Sequence, residues 1–77
     1  MANAHKLLEQ MRQNPRDWRI EQLEIVANHY NITVRKSTGS HVVFTHPKWT
    51  MLLCVSAHRP IKPIYVKKLV TLINTLG

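Results

Sequence analysis

Apolar side chains recur along the first third of the chain at the spacing of a helix face. Ala4, Leu7, Leu8 and Met11 stand at i, i+3, i+4 and i+7, which lines them up as one stripe of an α-helix. Asn14-Pro15 ends that helix, because proline disfavours the α conformation at the residue before it. A second stripe of Ile20, Leu23, Ala27 and Tyr30, with Val26 alongside, predicts another helix. Asn31 follows it, and asparagine tolerates the left-handed backbone that closes a helix. Trp18 is expected to pack at the start of this second helix, as a structural residue.

Beyond Asn31 the period changes from 3.6 to 2. Ile32-Thr33-Val34-Arg35 alternates, Ser37-Thr38-Gly39-Ser40 is turn chemistry, and His41 to His46 is rich in β-branched and aromatic residues. In that second strand Val42 and Phe44 share one face, and His41, Val43 and Thr45 the other. His46-Pro47-Lys48 breaks it. Met51 to Val55 is an unbroken apolar run that reads as a third strand, buried on both faces. After a polar connection, Pro63 suits the first turn of a helix, where its missing N–H costs nothing. Val66, Leu69, Val70 and Ile73 then form the buried stripe, with Lys67 and Lys68 pointing away. The predicted order is helix, helix, three-stranded meander, helix, an α+β domain with an antiparallel sheet. The helices should cover the Val42–Phe44 face and leave the His41 face open.

Composition narrows the function classes. A chain of 77 residues makes one domain with a thin core, burying only about 60% of its unfolded surface. Its apolar content of 44% is that of a globular protein. The single cysteine, Cys54, forms no internal disulfide and fits a reducing cytoplasm. No apolar run is long enough to span a bilayer, and no signal peptide is expected. The net charge of +7 is unevenly spread: through Val34 four cations match four acids, whereas from Arg35 onward there are seven cations and no acid. Such a field attracts a polyanion.

Five histidines, His5, His29, His41, His46 and His58, supply groups that titrate near neutrality. His5 and His29 fall on helices as solvated positions, and His46 before Pro47 reads as a turn or edge residue. His41 is different. It follows Gly39-Ser40, where the backbone can approach a phosphate with free N–H donors, and it projects from the open face at the start of a strand. Arg35 and Lys36 on the preceding strand can hold phosphates beside it. On RNA such an imidazole would take the 2′-hydroxyl proton or protonate the leaving 5′-oxygen. On spacing alone, however, a His41 that simply hydrogen-bonds its turn is the stronger reading. No metal or other cofactor is expected: His41 and His46 lie on opposite strand faces, Cys54 and His58 supply too few ligands for zinc, and all four acids precede His29.

Gly39-Ser40-His41-Val42-Val43-Phe44-Thr45-His46-Pro47 resembles the GSHHxFxHP signature of HicA toxins, the ribonuclease half of toxin–antitoxin pairs. Lys62-Pro63-Ile64-Tyr65-Val66-Lys67-Lys68-Leu69 resembles the KPYQVxxL opening of their last helix. Asn31-Ile32 stands in the family's Gly-aromatic position, and Val42 stands where a second His is common. The resemblance covers about residues 16–76, leaving residues 1–14 as an extra N-terminal helix of one domain, 1–77. It implies a double-stranded-RNA-binding-like fold and metal-independent cleavage of messenger RNA. It further implies His41 as the catalytic residue and a HicB antitoxin covering the active site. Gly39, Ser40 and His58 are candidate supporting residues. Lys36, Lys48, Arg59, Lys62, Lys67 and Lys68 are candidate phosphate contacts. The expected function is therefore a toxin endoribonuclease that inhibits translation. The rivals are a non-catalytic RNA-binding module and a basic domain for an acidic protein partner. The first helix, through Leu7, Leu8 and Met11, either closes the core or contacts a partner, and the thin core favours the former.

Overall fold

The computed structural model describes residues 3–37, 39–58 and 60–76. Helix α1 (Ala4–Gln13) begins at Asn3, whose side-chain oxygen accepts the Lys6 backbone N–H at 3.2 Å, satisfying one of the donors a helix start leaves open. It ends at Asn14, where the backbone turns extended before Pro15. Ala4, Leu8 and Met11 are buried and Leu7 packs beside them, so α1 closes the core.

The connection to α2 (Ile20–His29) is pinned from two directions. The buried Trp18 donates its indole N–H to the Asn14 carbonyl at 2.7 Å, and its own carbonyl accepts the Ile61 N–H at 2.8 Å. This isolated bridge joins the segments that lead into the second and third helices. Asp17 is held at φ 64° on the way. Helix α2 starts with the Arg19 N–H donating to the Gln22 side chain at 2.9 Å. It closes with Asn31 at φ 62°, the Ile32 N–H on the Ala27 carbonyl at 2.9 Å and the Asn31 N–H on the Asn28 carbonyl at 3.3 Å. Those two bonds and the left-handed residue make a Schellman closure, and the buried Ile32 supplies its apolar contact.

Strands β1 (Thr33–Lys36), β2 (His41–Thr45) and β3 (Leu53–Ser56) form an antiparallel sheet in the order β1-β2-β3. Val34 pairs with Phe44, and Val42 and Phe44 pair with Val55 and Leu53, so these side chains share the inner face. Helix α2 packs against β1 and the last helix, α3 (Pro63–Asn74), against β3, while α1 packs on both helices. Pro63 occupies the first turn of α3, whose Val66, Leu69, Val70 and Ile73 are buried. One apolar cluster joins all three helices to the inner face, with Phe44, Val55, Leu23 and Val66 fully buried. The described residues form an α+β architecture, three helices on one side of a three-stranded antiparallel sheet. Among the described residues no helix is long and apolar enough to cross a membrane.

The third strand corrects the sequence reading. It starts at Leu53 rather than Met51, and it is not buried on both faces: Met51 and Leu52 are 66% and 57% exposed, and Cys54 is exposed. The cause is register. Leu53 is the partner of Phe44, near the end of β2, so Met51 and Leu52 belong to the loop.

Candidate active site

The β1–β2 hairpin positions His41. Gly39 carries the turn at φ 69°, and a Cβ there would meet nothing within 4 Å. Glycine is therefore favoured by backbone conformation, not by crowding. The Ser37 N–H donates to the His41 carbonyl at 2.9 Å, and on the other side the Ala57 N–H donates to the Ser40 carbonyl at 2.6 Å. His41 pairs directly with Ser56, and the Ser37 bond sets Ser37, just beyond the end of β1, opposite it on the other side. Paired residues share a face, so the His41 imidazole stands between two serines on the open side of the sheet.

The same register adds further groups. Arg35 pairs with Val43, and Val43 with Cys54. Arg35 and Cys54 are therefore diagonal neighbours of His41 on the open face, at about 7–8 Å between backbones. Ala57 is still paired, and strand alternation continued one residue puts the exposed His58 on the Ser56 side. The result is one exposed imidazole, a second imidazole by extension, a guanidinium and hydroxyls on a surface that none of the described helices covers. Among the described residues no side chain hydrogen-bonds the His41 ring, which is exposed. The bond between His41 and its turn runs through the backbone, leaving both ring nitrogens open to a ligand.

The other candidates are dispersed. Lys36 pairs with Val42, which puts it on the helix side of the sheet. Lys48 sits in the turn at the opposite end of β2, where its N–H donates to His46 Nδ1 at 3.0 Å and the Trp49 N–H donates to the His46 carbonyl at 3.0 Å. The His46 ring lies 5.7 Å from that of Trp49, so His46 organises this turn. Lys62 is exposed just before α3. Lys67 and Lys68 are exposed on α3, beside Met51, Leu52 and Cys54. Arg59 lies outside the described residues. His5 is exposed on α1, and exposed His29 packs edge-on to Tyr30 at 4.9 Å. Among the described residues, no three His, Cys, Asp or Glu side chains gather as metal ligands.

Ser37, Ser56 and Cys54 were not selected from the sequence. Only the pairing of β2 with both neighbours brings them beside His41, and an apolar run such as Met51 to Val55 leaves that pairing undetermined. Comparison with family models, with curated proteins and with solved structures finds no match.

Proposed function

We propose that this chain is a metal-independent endoribonuclease, the toxin of a toxin–antitoxin pair, which cleaves messenger RNA with His41 as general acid or base. The observation that carries this reading is the His41 imidazole, exposed on an uncovered sheet face and free of described side-chain partners. It follows a left-handed glycine turn and lies diagonal to Arg35. The likeness of residues 39–47 and 62–69 to HicA motifs supports it, as does the absence of any acid from Arg35 onward. In this reading the α+β architecture is of the double-stranded-RNA-binding-like kind, the protein works in the cytoplasm, and a HicB-type antitoxin covers the His41 face.

The chemistry follows from RNA itself. A base removes the 2′-hydroxyl proton, the O2′–P bond forms, and the P–O5′ bond breaks as an acid protonates the departing oxygen. The products are a 2′,3′-cyclic phosphate and a 5′-hydroxyl. His41 performs one proton transfer, worth typically 10²–10⁴-fold. His58 is the other imidazole on this side and the candidate for the second. The Arg35 guanidinium faces the charge that builds on the phosphoryl oxygens.

The test is incubation of a long RNA with the protein in excess EDTA, beside a His41→Ala control with an unchanged thermal transition. Fragments bearing cyclic phosphate from the first and none from the second are expected. Equal cleavage by both removes His41 from the chemistry. An RNA left intact by both, but retarded in a salt-dependent way, makes the chain a binding module.

A further inference from the structure

We propose that the groove between the start of β3 and the outer side of α3 is a docking site. Its occupant is an acidic, amphipathic segment of a partner polypeptide, added as a strand to the free edge of β3. This inference stands apart from the nuclease reading and survives its failure.

The first argument is the edge. β3 is the last strand of the sheet, and its ladder phase is fixed by the Ala57 N–H on the Ser40 carbonyl. In an antiparallel pair alternate residues turn their backbone groups toward the neighbour, so Leu53, Val55 and Ala57 face β2. The N–H and C=O groups of Cys54 and Ser56 then point outward, and among the described residues no further backbone bond reaches them. Natural edges are guarded by charges, prolines or bulges. Leu53-Cys54-Val55-Ser56 has no charge and no proline.

The second argument is the surface beside that edge. Of the four exposed large hydrophobics among the described residues, three gather here: Met51 at 66%, Leu52 at 57% and Ile64 at 55%. Single exposed apolar residues are ordinary, whereas a contiguous group marks an interaction surface. Met51, Leu52, Cys54 and Ile64 line a groove of about 470 Å³, and among the described residues the charged ones on its wall are Lys67 and Lys68.

Charge selects the occupant. Every second residue of an added strand faces the groove and meets both its apolar floor and its two lysines, which fits an extended segment whose groove-facing set holds apolar and acidic residues in turn. A second copy fits poorly, since edge-to-edge pairing of β3 would set two acid-free, lysine-bearing surfaces against each other. RNA fits poorly as well. Bases seek an exposed aromatic platform, and the aromatic ring at the groove, Tyr65, is half-buried against the core. The groove lies toward the start of β3, with Leu53 about 10 Å along the strand from the His41–Ser56 row at ~3.3 Å per residue. A partner seated there reaches the edge of the His41 face at Cys54.

The experiment uses the full chain, isotope-labelled, titrated with a short blocked peptide that sets valine and glutamate in turn at every second position, with threonine between. The matching valine–lysine peptide and a short single-stranded RNA serve as comparisons. Amide resonances of Cys54, Ser56, Ile64, Lys67 and Lys68 are expected to move with the acidic peptide alone. Affinity should fall about tenfold in Leu52→Glu and in Lys67→Glu, both exposed positions whose unchanged circular dichroism verifies the fold. No movement at millimolar peptide, movement confined elsewhere, or equal binding of the lysine peptide overturns the proposal. Tighter binding of the RNA at these amides assigns the groove to nucleic acid instead. A concentration-dependent doubling of mass that Leu52→Glu abolishes assigns it to a second copy.

Discussion

At Gly39 the backbone φ of 69° decides the residue type, because the space around the missing Cβ is empty. Gly39→Ala should therefore cost only the left-handed penalty, about 1–2 kcal/mol, and Gly39→Asn less, since asparagine tolerates that region. Urea unfolding checks both, and a Gly39→Ala protein as stable as the parent refutes the conformational argument. Asn31 at φ 62° already illustrates the tolerance, and it was legible because it follows the last apolar residue of a helical stripe. Asp17 at φ 64° was not legible. Its conformation is bound up with Trp18, which must reach both Asn14 and the distant Ile61, and no local pattern announces a bond to the far end of the chain. His58 is the residue where chemistry and geometry most need separating. His58→Gln should lower cleavage about 10²-fold while leaving RNA affinity and the thermal transition unchanged. Cleavage at the parental rate would leave His41 to act with water or substrate groups.

The helices were legible as elements because each carries its own periodic stripe, and the buried residues of α1 and α3 are those the stripes select. The second strand was legible for the same reason, its alternation dividing His41 from Val42. The third strand was not. A run that is apolar at every position carries no period, so neither its first residue nor its faces can be read from it. Pairing with β2 settles both, sending Leu53 and Val55 inward and Cys54 outward. α1 is the element whose energetic role can be measured most directly. Met11 is 1% exposed and sits in the shared cluster, and Met→Ala at such a site costs about 2–5 kcal/mol. A domain of this length holds only roughly 4–12 kcal/mol in all. Met11→Ala should therefore lose a large fraction of its stability and lower the urea midpoint. An unchanged midpoint would return α1 to the role of a partner-binding appendage.

Over the whole molecule the seven cations that follow Val34 act at long range as one field but at contact as separate groups. Arg35 lies on the His41 face, Lys36 on the helix side, Lys48 at the far end of the hairpin, and Lys67 and Lys68 beside the groove. Long-range attraction speeds encounter with any polyanion, but the salt dependence of equilibrium binding counts the phosphates neutralised at contact, with a slope of about −0.7 per contact for single strands. The two kinds of site are thus separable by one quantity. With a 2′-O-methyl RNA, which lacks the attacking hydroxyl and is not cut, binding can be followed across salt without cleavage. Arg35→Ala should flatten the slope by about 0.7. The double variant Lys67→Ala, Lys68→Ala should leave it unchanged, because the groove beside those lysines is shaped for a polypeptide. The opposite pattern, a slope held by Arg35→Ala and flattened by the lysine pair, would move the RNA path off the His41 face and onto α3. Both the site and the groove assignments would then fall together.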